Sequence, residues 1–190
     1  MRKLILAAAL TGLSFSAFAA ETYTIDPDHT YPHFAINHLG FSTMHGRFNT
    51  TKGKIVLDKT GATSAVDIVI DAASVDTGMK KRDDHLRSPD FLNAAEFPEI
   101  TYKSSKVTFS GAKKATVDGT LTLAGVSKPV KLDVQSINCG IHPMDPKKEK
   151  FVCGFDATAK IKRSDFGVKF ALPAVGDEMV ITLEVEGTRN

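Results

Sequence analysis

From Tyr23 onward, the chain alternates apolar and polar residues with a period of two. The alternation is clearest over residues 66–71, 130–135, 155–162 and 179–186. Because successive side chains of a strand point to opposite faces of a sheet, this pattern predicts strands with one apolar and one mostly polar face. The sequence therefore predicts an all-β fold.

Turn-forming residues separate the predicted strands and leave short connections between most of them. Short connections favour antiparallel neighbours, and about eight or nine strands in one domain must either stack as two sheets or close into a barrel. Of these two arrangements, closure is the one that removes exposed strand edges. The strands are predicted near residues 31–40, 44–50, 53–59, 64–72, 98–109, 114–124, 127–137, 151–163 and 178–187.

The N-terminal segment has the form of a secretory signal peptide. Arg2 and Lys3 precede an uncharged apolar run, and the small residues Ala17 and Ala19 predict cleavage after Ala19. The apolar run is shorter than the roughly 20 residues that a membrane-spanning helix needs. We therefore predict an exported protein whose folded domain covers residues 20–190.

The apparent basicity of the chain belongs to this leader. The whole sequence has 24 basic and 22 acidic residues, so that without Arg2 and Lys3 the mature chain has 22 of each. A neutral chain of mixed charge has no general attraction for nucleic acid or anionic lipid. Charges also interrupt every later apolar run, so we expect neither a nucleic-acid partner nor stable membrane insertion.

The sequence contains two cysteines, Cys139 and Cys153. In an exported protein a disulfide between them is the first expectation. The alternative is two separate buried thiols. A metal site formed with His142 would lack a fourth ligand.

One stretch, residues 74–98, departs from the strand pattern. Residues 78–86 can form a short helical piece, and residues 88–90 are predicted to begin another, since Ser is a favourable N-cap and Pro suits the first helical position. We expect this excursion to link two strands across one end of the barrel. The charged residues of this excursion are typical of a solvent-exposed helix that is stabilised by ion pairs. Alternatively, Arg82 and Arg87 contact a polar or phosphorylated head group, because Arg suits bidentate recognition.

Four motifs occur in order along the mature chain. They are Asp28-His29 followed by Phe34-Ala35-Ile36-Asn37-His38-Leu39-Gly40 and Gly46-Arg47-Phe48; Arg82-Asp83-Asp84-His85-Leu86-Arg87-Ser88-Pro89-Asp90-Phe91-Leu92 followed by Phe97-Pro98; Gly119 to Val130; and Arg163-Ser164-Asp165-Phe166-Gly167. As a set, these motifs resemble the YceI-like family. The resemblance implies a single antiparallel eight-stranded lipocalin-like β-barrel in the periplasm, which here would carry the short helical excursion. It also implies an elongated cavity that binds polyisoprenoid or similar amphiphilic chains. The likeness to lipocalins is architectural, since a chain without tryptophan lacks their G-x-W signature.

An eight-stranded barrel is either filled by side chains or able to hold one small ligand. Small residues on the apolar faces, Ala157, Ala159 and Gly119, leave volume, so we predict a ligand cavity with a filled core as the alternative. His38, next to Phe41, is expected to make a polar contact at the cavity mouth. The predicted ligand-binding residues are Phe34, Ile36, His38, Phe41, Phe48, Ile55, Leu57, Ile68, Ile70, Arg82, Arg87, Leu121, Leu123, Val130, Leu132, Phe155, Ala157, Ala159 and Ile161.

Four histidines lie in the N-terminal region: His29, His33, His38 and His45. Imidazoles invite a metal or acid–base interpretation. In an extended strand, however, their spacing does not bring them together. We therefore predict no metal site and no required cofactor, only a bound polyisoprenoid or quinone-like lipid.

The leading hypothesis is a periplasmic protein that holds a long-chain polyisoprenoid, of quinone or polyprenyl type, for storage or transport. A second hypothesis is an enzyme that acts on such a lipid with His38 or His85 as base, although no G-x-S-x-G nucleophile elbow occurs and no catalytic residue is assigned. A third hypothesis turns the apolar face outward as an outer-membrane barrel. A fourth is an interaction domain with a filled core. Separately, a homodimer formed through exposed faces is an expectation for this chain.

Overall fold

The computed structural model describes residues 20–58, 60 and 62–190. The predicted signal peptide, residues 1–19, lies outside the described residues. Strands dominate the described part, with one short α-helix. In chain order the elements are β1 (Glu21–Ile25), β2 (Tyr31–His38), β3 (Ser42–Phe48), β4 (Thr51–Leu57), β5 (Ala65–Asp71), β6 (Val75–Asp76), α1 (Lys80–Leu86), β7 (Glu99–Phe109), β8 (Ala115–Leu123), β9 (Val126–Ile141), β10 (Phe151–Lys162) and β11 (Val175–Arg189), with 3₁₀ turns at Pro27–His29, Ala72–Ser74 and Arg163–Phe166.

These strand segments combine into eight barrel strands. Three of the barrel strands are interrupted in the middle: β1 and β2 form one, β3 and β4 form the next, and β5 and β6 form the third. In each case both parts pair with the same neighbouring barrel strand, as β1 and β2 both pair with β11. Every neighbouring pair is antiparallel, and the pairing of β1 with β11 closes the sheet. The predicted eight-stranded antiparallel barrel with a short helix is confirmed.

The first interruption occurs at the 3₁₀ turn between β1 and β2. The Asp26 carboxylate caps this turn by accepting a hydrogen bond from the Asp28 backbone N–H. The fully buried Thr30 hydroxyl then accepts a hydrogen bond from the Glu186 N–H at 3.1 Å, which ties the broken strand to β11. Sequence patterning missed β1 because its five residues stand alone before this turn.

The excursion between β6 and β7 differs from its prediction in one part. Helix α1 forms within residues 78–86, as expected. The second helix predicted at residues 88–90 is wrong, because the chain makes successive turns there. Leu92 and Ala94 donate their backbone N–H groups back to residues 86 and 87, and Asn93 has a φ of 46°, a left-handed conformation that interrupts a right-handed helix.

The barrel has two distinct ends. At the helix end lie the excursion of residues 77–98 and the connections 39–41, 124–125 and 163–174. At the opposite, disulfide end, β9 and β10 are joined by the disulfide between Cys139 and Cys153, which are directly opposite each other in the ladder. The predicted disulfide is confirmed.

The apolar faces of the strands point into the barrel, and the polar faces point outward. On β10, for example, Ala157 and Ala159 are buried, whereas Asp156 and Lys160 are exposed. The hypothesis of an outer-membrane barrel requires the apolar faces to point outward, so the observed orientation is the opposite one. Within the described residues, no helix is long and apolar enough to span a bilayer.

Candidate ligand-binding cavity

All eight barrel strands contribute side chains to an apolar cavity of about 460 Å³. This volume lies within the roughly 300–1,000 Å³ that is usual for small-molecule sites. Alternation places Val, Ile, Leu, Phe, Met and Ala side chains on the inner face of each strand, which is why the lining is almost entirely apolar. A hydrocarbon chain is the chemical class that such a lining accommodates.

The buried residues around the cavity pack in three clusters along the barrel. Each cluster brings together side chains from strands that are far apart in sequence, so the barrel wall is well packed even where the interior is empty. From the helix end to the disulfide end, the clusters contain Ile70, Ile100, Leu123 and Ile161; then Tyr102, Val117, Val134 and Ala157; then Tyr23, Ile55, Cys153 and Phe155.

Tyr102 occupies the space that Gly119 was expected to leave for a ligand. A Cβ atom added to Gly119 would lie 2.5 Å from the Tyr102 ring, so only glycine permits this close approach. The Tyr102 hydroxyl lies 3.0 Å from the carbonyl oxygens of Val117 and Val130, and burial raises its pKa, so it stays a neutral donor. The prediction for Gly119 is therefore wrong, whereas Ala157 and Ala159 do line the cavity.

Several polar side chains line the cavity at its helix end, whereas Thr30 and Ser64 line it toward the disulfide end. Arg82 donates from Nε to the Thr77 hydroxyl and from Nη2 to the Thr77 carbonyl oxygen, each at 2.7 Å. Among the described residues, its Nη1 has no hydrogen-bond partner. His38 lies at the same end, at the last position of β2, and also lines the cavity.

Buried Arg163 organises the connection between β10 and β11. Its guanidinium donates hydrogen bonds to four backbone carbonyl oxygens, those of Val168, Phe170, Val175 and Gly176, over 2.8–3.1 Å. Burial lowers its pKa, an effect that nearby Asp177 opposes. Because arginine stays charged throughout the physiological range, it serves here as a permanent donor that fixes the loop.

Three rings cover the helix end of the cavity. The His85 ring makes edge contacts with Phe91 and Phe170, with centroids 5.0 Å and 5.1 Å apart, and the two phenylalanines lie 5.3 Å from each other. His85 Nε2 lies 2.9 Å from the Asp90 carboxylate, which orients the imidazole. These contacts join the excursion to the 163–174 connection over the cavity.

Most of the residues predicted to bind a ligand line this cavity, although their role in binding stays a prediction. Phe41 and Arg87 are the two that do not line it. Phe41 follows the turn at Leu39 and Gly40 and is 90% exposed. Arg87 donates to the carbonyl oxygens of Ala73 and Val75, which anchors α1 to the barrel wall. The residues that do line it are Phe34, Ile36, His38, Phe48, Ile55, Leu57, Ile68, Ile70, Arg82, Leu121, Leu123, Val130, Leu132, Phe155, Ala157, Ala159 and Ile161.

The four N-terminal histidines do not converge on one site. His38 lies on the inner face of β2 and lines the cavity. His33 and His45 lie on the outer face, with His33 Nε2 3.4 Å from the Glu184 carboxylate and His45 exposed. His29 lies apart from them, with its Nδ1 3.1 Å from the Asp26 carboxylate, and this hydrogen bond raises the pKa of His29. Asp26, His29 and Glu186 have potential ligand atoms within 4.8 Å of one another.

Comparison with known proteins identifies the family. The family model described as a YceI-like domain matches residues 23–187. The protein YceI of Escherichia coli O157:H7 is 38% identical over 194 residues, covering 100% of this chain and 99% of that protein. This chain belongs to the YceI-like family. The resemblance seen in the four sequence motifs is confirmed.

Solved structures of other proteins share the fold. A Campylobacter jejuni YceI protein superimposes with a TM-score of 0.68 at 29% identity, covering 100% of this chain and 99% of that one. A polyisoprenoid-binding domain from Saccharophagus degradans, implicated in plant cell wall breakdown, gives a TM-score of 0.63 at 18% identity and covers 88% and 98%. The second likeness concerns the fold alone.

Several residues that line the cavity of this YceI-like barrel were not among the predicted set. Met179, Ile181 and Leu183 follow the alternation of β11, so the sequence did contain a signal for them. Phe170 lies in an irregular connection, where no periodic pattern exists to find it. Thr51 is polar, and patterning therefore gave no reason to place it inside.

Proposed function

We propose that this protein holds a long-chain polyisoprenoid, of quinone or polyprenyl type, or a similar amphiphilic lipid in its barrel, for storage or transport in the periplasm. The observation that carries the proposal is the apolar cavity of about 460 Å³ to which every barrel strand contributes. Burying an apolar chain there gains about 25 cal/mol for each Å² removed from water. The polyisoprenoid-binding domain of Saccharophagus degradans, which has the same fold, supports this choice of ligand class.

The polar groups favour one orientation of the bound lipid. The tail extends through the apolar part of the cavity toward the disulfide end, and the polar head group lies at the helix end near His38 and Arg82. An arginine with an unused N–H group suits a carbonyl, hydroxyl or phosphate oxygen.

The arrangement supports binding rather than catalysis. His85, the first candidate base, is held by Asp90 and packed between two phenylalanine rings. His38, the second candidate base, lies at the end of β2. Among the described residues, the apolar lining beside it offers no nucleophile for His38 to activate. Membership of the YceI-like family supports the same conclusion.

Two features support export to the periplasm. Residues 1–19 have the pattern of a cleaved signal peptide. The disulfide between Cys139 and Cys153 is typical of oxidising compartments such as the periplasm.

The proposal is tested by delipidating the protein and titrating it with ubiquinones and polyprenols of increasing chain length. We expect one lipid per protein, with affinity rising with chain length until the cavity is filled. Ala157→Phe places a ring in the cavity and should weaken binding at least about tenfold. Thr158→Phe adds a ring of the same size to the outer face of the same strand and should leave affinity within about twofold of the wild type. Absence of binding, or equal weakening by both variants, would contradict the proposal.

A further inference from the structure

Four large apolar side chains at the helix end of the barrel are exposed to solvent. Phe41 is 90% exposed, and Leu39, Met79 and Phe170 are 46–50% exposed. We refer to these four residues as the rim patch. A group of exposed apolar side chains on one part of a protein commonly marks a surface that binds a partner or a membrane.

The fold holds the parts of the rim patch together. The 2.9 Å hydrogen bond from the Leu39 N–H to the Ala174 carbonyl oxygen joins the 39–41 connection to the 163–174 connection. The contact between the His85 and Phe170 rings joins the 163–174 connection to the excursion, which carries Met79 just before α1. The rim patch is therefore built from three connections that contact one another.

The rim patch is continuous with the cavity. Phe170 lines the cavity, yet about half of its side chain is exposed to solvent. Apolar surface thus extends from the interior of the barrel to its exterior at this residue. An apolar ligand that leaves the cavity here meets apolar side chains before it meets water.

Lysines flank the rim patch. Lys169 directly precedes Phe170, Lys81 lies two positions after Met79, and both lysines are exposed. Neither forms an ion pair with another described residue, so both charges are available to an external partner. Apolar side chains beside free lysines are typical of surfaces that dock on bilayers with anionic head groups.

The carboxylates of this end do not offset the lysines. Asp84 is bound by Lys80 and Arg87, and Asp90 lies against His85. Glu96 accepts a hydrogen bond from the Asn93 amide. Asp165 and Glu178 lie in an outer groove that is also lined by Lys128, Lys131, Lys160 and Lys162. The outer surface of the helix end is therefore complementary in charge to anionic phospholipids.

We propose that the rim patch docks the protein reversibly on the surface of a bilayer that contains anionic phospholipid. Phe41 and the other apolar side chains enter the interfacial region, the lysines contact phosphate groups, and the strands stay outside the membrane. This inference rests on the proposed function, to which it adds the place of loading and release. The lipid passes between the bilayer and the cavity at the helix end without crossing water.

The first test measures how lipid-free mature protein sediments with vesicles of phosphatidylethanolamine and phosphatidylglycerol. We expect the wild type to bind and Phe41→Ser to bind at least about tenfold more weakly, because a phenylalanine side chain no longer leaves water. Met144→Ser is the matched control. Met144 is 83% exposed in the connection between β9 and β10 at the disulfide end, and its replacement should leave vesicle binding unchanged.

The second test measures the contribution of charge. Replacing phosphatidylglycerol by phosphatidylcholine in the vesicles should weaken binding of the wild type at least about tenfold, since each lysine near an anionic surface contributes roughly fivefold. The double variant Lys81→Gln/Lys169→Gln should lose most of this difference between the two kinds of vesicle. A double variant that keeps the full difference would contradict the assigned role of the lysines.

Titration with a short-chain ubiquinone in solution separates docking from lipid binding. Phe41→Ser should match the wild type in this titration, because Phe41 does not line the cavity. If the wild type binds the ubiquinone but not the vesicles, or if Phe41→Ser and Met144→Ser weaken vesicle binding equally, docking is overturned while the proposed function stands.

Two other results would also overturn the inference. If the wild type ignores vesicles but is a dimer by analytical ultracentrifugation, and Phe41→Ser is a monomer, the rim patch is an interface between two copies of the chain. If the wild type does not bind the ubiquinone, the proposed function fails, and the loading of lipid at the rim patch fails with it.

Discussion

At the residue scale, Asp58 shows how a single carboxylate orders a connection at the disulfide end. It accepts four hydrogen bonds, from the backbone N–H groups and the hydroxyls of Thr60 and Thr63, over 2.7–3.1 Å. The Thr60 hydroxyl contributes most to lowering the pKa of Asp58, from 3.8 to about 2. All of these donors favour the charged form of the carboxylate.

This lowered pKa predicts a pH dependence of stability. A carboxylate whose pKa is lower in the folded state stabilises the fold above its unfolded pKa of 3.8, and the contribution is lost as pH falls toward about 2. We expect Asp58→Asn to reduce Tm at pH 6 and to flatten the decline of Tm between pH 4 and pH 2. Thermal melts by circular dichroism across this range measure both effects. Parallel declines in the wild type and the variant would contradict the assignment.

Residue-level prediction from the sequence succeeded where a side chain follows the strand period and failed where two residues interact across strands. Ala157 and Ala159 were correctly placed inside, because alternation alone determines which face they occupy. Gly119 was misjudged, because the ring that covers it belongs to Tyr102 on the neighbouring strand. Such a contact depends on register, which a single sequence does not specify.

At the scale of elements, the connection between β10 and β11 depends on one buried charge. Of the four carbonyl oxygens that Arg163 satisfies, those of Val168 and Phe170 belong to the irregular connection, and those of Val175 and Gly176 belong to the first two residues of β11. Without the guanidinium these oxygens would be left without partners or exposed to water. The segment also supplies Phe170, one of the rings over the cavity, so its order controls how well the helix end is covered.

We therefore predict that Arg163→Met lowers the free energy of unfolding by about 3 kcal/mol or more, since several charge-assisted hydrogen bonds are lost at once. Urea denaturation followed by circular dichroism measures this change. Arg189→Met is the matched control, because Arg189 forms a surface ion pair with Glu21 and its loss should cost at most about 1 kcal/mol. A loss of similar size in both variants would show that the buried position of Arg163 has no special importance.

The elements were predicted with uneven success for identifiable reasons. Strands β7 to β10 are long and are separated by clear turn signals, and the prediction placed each of them within a few residues. The Ser88-Pro89 pair resembled a helix start, yet tertiary hydrogen bonds from Leu92 and Ala94 to the end of α1 produced turns in its place. Local propensity yields to tertiary contacts in a segment this short.

At the scale of the whole molecule, the wall of the barrel provides stability and its interior provides the cavity. The wall is packed by three clusters of buried residues and closed by the pairing of β1 with β11. The interior keeps an apolar volume because residues such as Ala157 and Ala159 are small. Sequence patterning predicted about eight or nine strands and the inner faces of several of them, but the volume left by packing depends on every inner side chain together. A homodimer, suggested from the sequence, remains a prediction.

The exterior of the helix end has an unusual share of exposed apolar side chains. Leu39, Phe41, Met79 and Phe170 are 46–90% exposed, and all of them lie on connections around this end. The 2.9 Å hydrogen bond from the Leu39 N–H to the Ala174 carbonyl oxygen holds the first of these connections beside the last. The end of the barrel that holds His38 and Arg82 thus also carries these four exposed apolar side chains.

The most direct test of the central claim is native mass spectrometry of the protein isolated without detergent from the periplasm of its own host, followed by solvent extraction of whatever is released. We predict a stoichiometric mass increment that solvent extraction releases as an isoprenoid lipid. A protein that is isolated empty, and that takes up neither quinones nor polyprenyl lipids when they are offered, would contradict the account and favour an interaction domain.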